Sequence, residues 1–168
     1  ADAPRGNTEQ ERMKLYRLQR IQNLPISQNE AWQFFSQPLN LPEITPAWLG
    51  FRLNTAVPEK MFAGMVISYR IKPLFGIPAT WISEITHVHE PEYFVDEQRF
   101  GPYRFWHHRH TFKPLNDGTQ IGDIVHYAIG FGMLGHWVQR LMIAPRLDNI
   151  FNYRCERLKH IFSANTHE

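Results

Sequence analysis

The chain has a single cysteine in 168 residues, Cys155, so no disulfide can close within it and nothing argues for an oxidising compartment. It also lacks any apolar run of the roughly 18 to 20 residues that a membrane-spanning helix requires. Its greasiest stretches are interrupted by Gly, His, Arg or Gln. An excess of one charge is equally missing. The 18 basic residues against 16 acidic ones give a formal charge of +2, too even to make nucleic acid the main partner. There is no phosphate-binding glycine loop, dinucleotide fingerprint or nucleophile elbow. The opening ADAPRGNTEQERM has neither the basic start nor the apolar core of a signal peptide and reads as a tail. The expectation is a cytoplasmic protein, with a peripheral membrane contact left open.

What is present is enough apolar material to fold. At 43% hydrophobic and 14% aromatic residues, disorder of the whole chain is excluded, and 168 residues fit one core. The expected division is a tail at 1–12, one ligand-binding domain at 13–163 and a second tail at 164–168. Met13 to Pro25 alternates well enough for a first strand, although the alternation does not settle which face is inner. Ser27 followed by Glu30 is a capping box that starts a short helix over Gln28 to Ser36. Pro38, Pro42 and Pro46 then allow only a second short helical turn. Six strand candidates follow: Trp48–Asn54, Gly64–Lys72, Ala79–His89, Glu92–Phe100, Tyr103–Phe112 and Thr119–Gly130. Pro91, Gly101-Pro102 and Asn116-Asp117-Gly118 supply turns between the last four, so these neighbours are antiparallel.

After Leu134 the period changes. Leu134, Val138, Leu141, Leu147, Ile150, Phe151, Leu158, Ile161 and Phe162 recur at spacings of three and four, as in a long amphipathic helix that Pro145 should kink. The sum is an α+β fold in the helix-grip manner. A curved antiparallel sheet of about seven strands wraps a long C-terminal helix, with two short helices after the first strand. The space left between sheet and helix is the natural cavity.

One segment carries the chemistry. In EYFVDEQRFGPYRFWHHRHTF (92–112), strand parity puts Trp106, His108, His110 and Phe112 on one face, and Phe105, His107, Arg109 and Thr111 on the other. If Asp117-Gly118 is a two-residue turn, Phe112 faces Asp123, His110 faces Val125 and His108 faces Tyr127. Burial of Trp106, Phe112, Val125 and Tyr127 favours this face as the inner one. His107, Arg109 and His126 then face solvent. At Gly101-Pro102, a two-residue loop would place Val95 and Glu97 beside His108 and Trp106. A three-residue loop or bulge would place Asp96 and Gln98 there instead, and this second register is preferred because it keeps Phe94 in the core. Tyr69, Trp81 and Trp48 are expected in the core or cavity lining, and Cys155 as a small core residue. The GFGMLGHW segment, with Phe131, Met133, Leu134 and Trp137, reads as loop packing on the helix, or as a lid or contact patch.

Three segments resemble the START and pathogenesis-related (SRPBCC) superfamily, and within it the polyketide cyclase/dehydrase-like branch of small bacterial proteins. They are NLPEITPAWLGFRL at 40–53, FVDEQRFGPYRFWHHRHTF at 94–112 and DIVHYAIGFGMLG at 123–135, with a weaker echo in IFNYRCERL at 150–158. The resemblance implies a hydrophobic cavity between sheet and helix, used by different members for lipids or aromatic polyketides. It brings no established catalytic residues. The positions similar to the branch's motif are Asp96, Gln98, Trp106, His108, His110, Asp123 and Tyr127, which are the candidate ligand-binding residues. His108-x-His110 with Asp96 or Asp123 nearby also has the spacing to offer three ligands to an ion such as Zn²⁺. Histidine pairs on strands are common and this branch is not known for metals, so no metal or other cofactor is expected.

Three functions follow. The first is binding of a hydrophobic or aromatic small molecule, with the polar set as anchor. The second is a cyclase, aromatase or dehydrase in which His108 or His110 moves a proton and Asp96 orients it. The third is an interaction protein serving an oxidoreductase partner.

Overall fold

The structure, a computed structural model, describes residues 14–130 and 135–163. The expected helix-grip plan is the observed one. Seven antiparallel strands lie in the order β1-β7-β6-β5-β4-β3-β2. They are β1 (Tyr16–Leu24), β2 (Arg52–Leu53), β3 (Met65–Leu74), β4 (Ile77–His89), β5 (Tyr93–Phe100), β6 (Phe105–Leu115) and β7 (Gly118–Ala128). Helix α1 (Gln28–Phe35) and two 3₁₀ turns (Pro38–Ile44, Ala47–Leu49) follow β1. A short α2 (Gly135–Val138) leads through a wide π turn (Gln139–Ile143) into α3 (Ala144–Ser163). Among the described residues, no helix is long and apolar enough to cross a membrane.

Helix α1 starts where the capping box places it. Glu30 N–H donates to Ser27 Oγ, and the Ser27 N–H donates to Glu30 Oε2 at 2.8 Å, so two otherwise orphaned amides are satisfied. Ser27→Ala is expected to cost about 1 kcal/mol, read as a lower urea midpoint with an unchanged slope. The helix packs Trp32 and Phe35 against Phe94 and Phe112 of the sheet, with ring centroids 5.3 to 6.0 Å apart. Burying one such ring contributes about 2–3 kcal/mol.

The inner face of β1 is the even-numbered one, with Leu18 and Leu24 buried and Leu18 opposite Val125. Its alternation is imperfect because two inward positions are polar and reach the C-terminal helix. Arg20 pairs with Asp148, and Gln22 Nε2 donates to the Cys155 carbonyl at 2.9 Å. These contacts tie the edge strand to α3. The cysteine itself is half-buried, which pushes its thiol up.

Four expectations need correction. The β6–β7 turn is Asn116-Asp117, with Leu115 opposite Gly118. Pairing is therefore shifted by two residues from the expected register: His110 faces Asp123, His108 faces Val125 and Trp106 faces Tyr127. A shift of two preserves strand parity, so the inner face is unchanged. Gly118 starts β7 because a Cβ there would collide with the Leu24 carbonyl oxygen, where β1 ends.

The strand expected over Trp48–Asn54 is reduced to Arg52–Leu53. The preceding 3₁₀ turn ends at Gly50, whose φ of 58° is left-handed. That turn buries Leu49 and sends Trp48 outward, 43% exposed, with the Arg146 guanidinium 4.9 Å above its ring. Trp48 is thus neither core nor cavity lining.

The kink at Pro145 takes the form of the π turn. Proline cannot donate to the carbonyl four residues back and crowds it, and the turn before it widens, with Ala144 N–H bonding Gln139 O. The extra residue moves the apolar stripe by one position, so Ile143 is buried and Leu141 is 68% exposed. The inward stripe then runs Ile143, Leu147, Phe151, Arg154, Leu158, Phe162. Residues 131–134 of the GFGMLGHW segment lie outside the described residues, and Trp137 is exposed.

Irregular register in β3–β4 between Ile71 and Leu74, and in β4–β5 at Ile82/Ser83 and Ile85/His87, marks bulges that bend the sheet around α3. The buried apolar residues form two clusters. One is built on Trp32, Phe35, Phe94, Phe112, Leu158 and Phe162, the other on Trp81, Trp106, Val125, Ile143, Leu147 and Phe151. Between them lies a group of charged side chains.

Candidate functional site

Strands β5, β6 and β7 each contribute to that group from adjacent positions. Asp96 lies opposite His108 across β5–β6, the preferred register, and His110 lies opposite Asp123 across β6–β7. His108, His110 and Asp123 are 5–6% exposed, and Arg154 of α3 closes the group at 8%. The imidazoles lie against each other, tilted by 35°, with centroids 3.7 Å apart. His108 Nε2 donates to Asp123 Oδ1 at 2.8 Å, and His110 Nε2 donates to Asp96 Oδ2 at 2.8 Å. The remaining nitrogens point the other way round. His108 Nδ1 is 3.5 Å from Asp96 Oδ2, and His110 Nδ1 is 3.2 Å from Asp123 Oδ1. Arg154 Nη1 is 3.5 Å from the same Asp123 oxygen.

Charges this deep are tolerable only when paired. Burial opposes ionisation of Asp123, and the Arg154 guanidinium with the hydrogen bonds from both histidines overcomes it, holding the carboxyl well below its usual range. Asp96 is lowered as well: burial acts against it, and the His110 hydrogen bond and the nearby histidines outweigh burial. Burial and the neighbouring His110 lower His108. His110 is buried too, but its hydrogen bonds to Asp123 and Asp96 raise it. The two carboxylates are thus held by the Arg154 guanidinium and by the ring nitrogens of both histidines.

A cavity of about 310 Å³ opens beside this group, between sheet and α3. Asp96, His108, His110 and Arg154 line it at one place. Most of the rest is aromatic or aliphatic. Tyr69 stacks on Trp81 at 5.9 Å, Trp81 meets Trp106 edge-on at 5.2 Å, and Tyr103 lies 4.9 Å from Trp106. Ser83 supplies a second small polar spot, accepting from Trp81 Nε1 at 2.9 Å and lying 3.2 Å from the Tyr69 hydroxyl. Burial, with Asp96 nearby, pushes the Tyr69 phenol up, so it stays a neutral donor.

The candidates divide accordingly. Asp96, Trp106, His108 and His110 face the cavity, whereas Gln98, Asp123 and Tyr127 are not among its lining residues. Gln98 is spent on the turn after β5, donating to the Tyr103 carbonyl at 2.7 Å and accepting from the Tyr103 N–H at 3.2 Å. Asp123 sits behind the histidines. Tyr127 is buried against Tyr16 at 5.6 Å, and its hydroxyl accepts from Gln139 Nε2 at 3.2 Å. On the outer face, exposed Arg109 lies over the Tyr93 ring at 4.5 Å, while His107 and His126 are half-buried neighbours.

Arg154 and Ser83 were not among the candidates. The signal for Arg154 was its place in the series Leu147, Phe151, Arg154, Leu158, Phe162, where a cation interrupts an otherwise apolar stripe. Ser83 sits on the inner face of β4 between Trp81 and Ile85, and a single serine in a strand gives no such signal.

No protein-family model matches the chain, and no curated protein matches it. Solved structures do. A protein of unknown function from Staphylococcus aureus superposes with a TM-score of 0.69 at 12% identity, covering 94% of this chain and 99% of that one. A START superfamily protein from Mycobacterium smegmatis gives 0.65 at 12% identity, with 89% and 99% covered. The major latex-like protein 151 of Panax ginseng gives 0.65 at 12% identity, with 88% and 97% covered. At such identities the likeness concerns the fold, and on it the chain has the helix-grip fold of START-type proteins.

Proposed function

We propose that the protein binds a hydrophobic or aromatic small molecule, lipid-like or polyketide-like, in the cavity between sheet and α3. The polar end is held by the Asp96, His108, His110 and Arg154 group. The observation that carries this reading is the lining: one compact group of buried charged donors and acceptors in a predominantly apolar, aromatic-walled space of about 310 Å³. Such a space takes up apolar surface for the reason a core does, and the polar set fixes orientation. The helix-grip fold and the resemblance to the polyketide cyclase/dehydrase-like branch support the same reading. It places the activity in one domain over residues 13–163, in the cytoplasm, without nucleic acid. Titration with an apolar fluorophore is expected to give saturable one-to-one uptake, reversed by long-chain or polycyclic competitors. Linear, non-saturating uptake counts against it.

Acid–base catalysis is the second reading, favoured by the 2.8 Å contact between Asp96 and His110 on the cavity wall. It requires that His108→Ala or His110→Ala keeps the fold and loses turnover of a polyketide-like substrate. Turnover retained in both removes it.

A further inference from the structure

The two imidazoles divide their nitrogens in one way. His108 Nε2 and His110 Nδ1 both reach Asp123 Oδ1, at 2.8 and 3.2 Å, on the side away from the cavity. His108 Nδ1 and His110 Nε2 both reach Asp96 Oδ2, at 3.5 and 2.8 Å, and all three of these residues line the cavity. Four nitrogen–carboxylate contacts would need four N–H protons to be hydrogen bonds. Two neutral imidazoles carry two, and a third proton still leaves one lone pair against a carboxylate. Supplying all four would stack two imidazolium rings 3.7 Å apart. Asp123 Oδ1 also has the Arg154 Nη1 cation beside it at 3.5 Å, whereas among the described residues no such cation lies within ion-pair distance of Asp96 Oδ2. The side short of positive charge is therefore that of Asp96, where two ring nitrogens and a carboxylate oxygen converge, and an ion there takes the place of the proton that His110 Nε2 gives to Asp96.

We propose that Asp96, His108 and His110 bind a divalent first-row transition-metal ion through Asp96 Oδ2, His108 Nδ1 and His110 Nε2. One donor atom from each of the three lies within 4.8 Å of the others. Around an ion with ligand distances of about 2.1 Å, neighbouring donors sit roughly 3.0–3.4 Å apart; the two separations to Asp96 Oδ2 are 2.8 and 3.5 Å, and the third, between the two rings, is within 4.8 Å. Two imidazoles and one carboxylate suit zinc, iron or cobalt rather than magnesium or calcium. Three protein ligands leave coordination positions open toward the aromatic-walled cavity, where an oxygen of a bound molecule or a water completes the shell. Asp123 acts behind the ligands, fixing the tautomer and angle of both rings, and Arg154 fixes Asp123.

This site does not depend on the ligand proposed above, since the ion is held by the protein whether or not the cavity is filled. The test uses wild-type protein, folded, treated with a chelator and titrated with Co²⁺ alone. One equivalent is expected to produce visible d–d absorption bands, and Zn²⁺ should bleach them. Asp96→Asn keeps the shape and removes the anionic ligand, and it is expected to lose the bands. Asp123→Asn should weaken Co²⁺ binding about 10–100-fold. The surface histidines, including the His107/His126 pair, are untouched by the Asp96 change and serve as the internal control. Absence of the bands in folded wild-type protein, or bands unchanged in Asp96→Asn, overturns the proposal, whereas fluorophore uptake would still stand.

Discussion

Asp123→Ala is expected to destabilise the protein by about 3–5 kcal/mol, a large share of the stability of a domain this size. Asp123 is 6% exposed, accepts from His108 Nε2 at 2.8 Å, and lies 3.2 Å from His110 Nδ1 and 3.5 Å from Arg154 Nη1. Removing it strands the Arg154 cation in the core, where its Nε already has no partner among the described residues. The guanidinium packs 5.1 Å from Phe35 and 5.9 Å from Phe151, and neither ring replaces a carboxylate. The measurement is urea unfolding of chelator-treated protein. The companion is the double variant Asp123→Leu with Arg154→Met, which removes both charges and fills the space. It is expected to recover most of the loss, because discarding a buried pair costs far less than breaking one. A loss below about 1 kcal/mol for Asp123→Ala would mean that Arg154 escapes to solvent and that the group is not a closed network.

The second large effect comes from filling the cavity. Ile71 of β3 and Leu147 of α3 are 4% and 3% exposed and both line it. Ile71→Phe with Leu147→Phe puts two rings into the space a ligand would use. Fluorophore affinity is expected to fall at least about a hundredfold, which is about 2.8 kcal/mol. Stability should change by less than about 1 kcal/mol, because the rings enter empty volume. In a solidly packed interior the same pair would instead cost about 1–3 kcal/mol for each substitution. The two readouts moving in opposite proportion is therefore diagnostic of a cavity.

The fold was legible because its signals are local and redundant. Ser27 and Glu30 name a helix start, strand parity in 103–112 names an inner face, and the three-four spacing after residue 134 names a long helix. Registers were less legible, since they depend on which residues occupy the turn. Asn116-Asp117 rather than Asp117-Gly118 moved every β6–β7 pair by two, and His108 now faces Val125 instead of Tyr127. Parity survived only because two is the period of a strand. The Gly101-Pro102 turn held Asp96 beside His108 for a reason absent from local propensity: the Gln98 amide spans the turn to both backbone groups of Tyr103. Arg154 interrupts the apolar stripe of α3, but an arginine on a helix usually faces solvent, so the interruption alone does not name a buried charge. Its pairing with Asp123 is a contact between α3 and β7 that local patterns do not encode. Leu141 misled for the related reason that one extra residue in the turn before Pro145 rotates everything ahead of it.

Native mass spectrometry of the wild-type protein, purified without denaturant or organic solvent, bears most directly on a ligand held between sheet and helix. A population carrying one non-covalent small-molecule adduct is expected, lost on acid denaturation and absent from the Ile71→Phe/Leu147→Phe variant. Protein found only at its bare sequence mass, and still refusing an apolar fluorophore in solution, would contradict it.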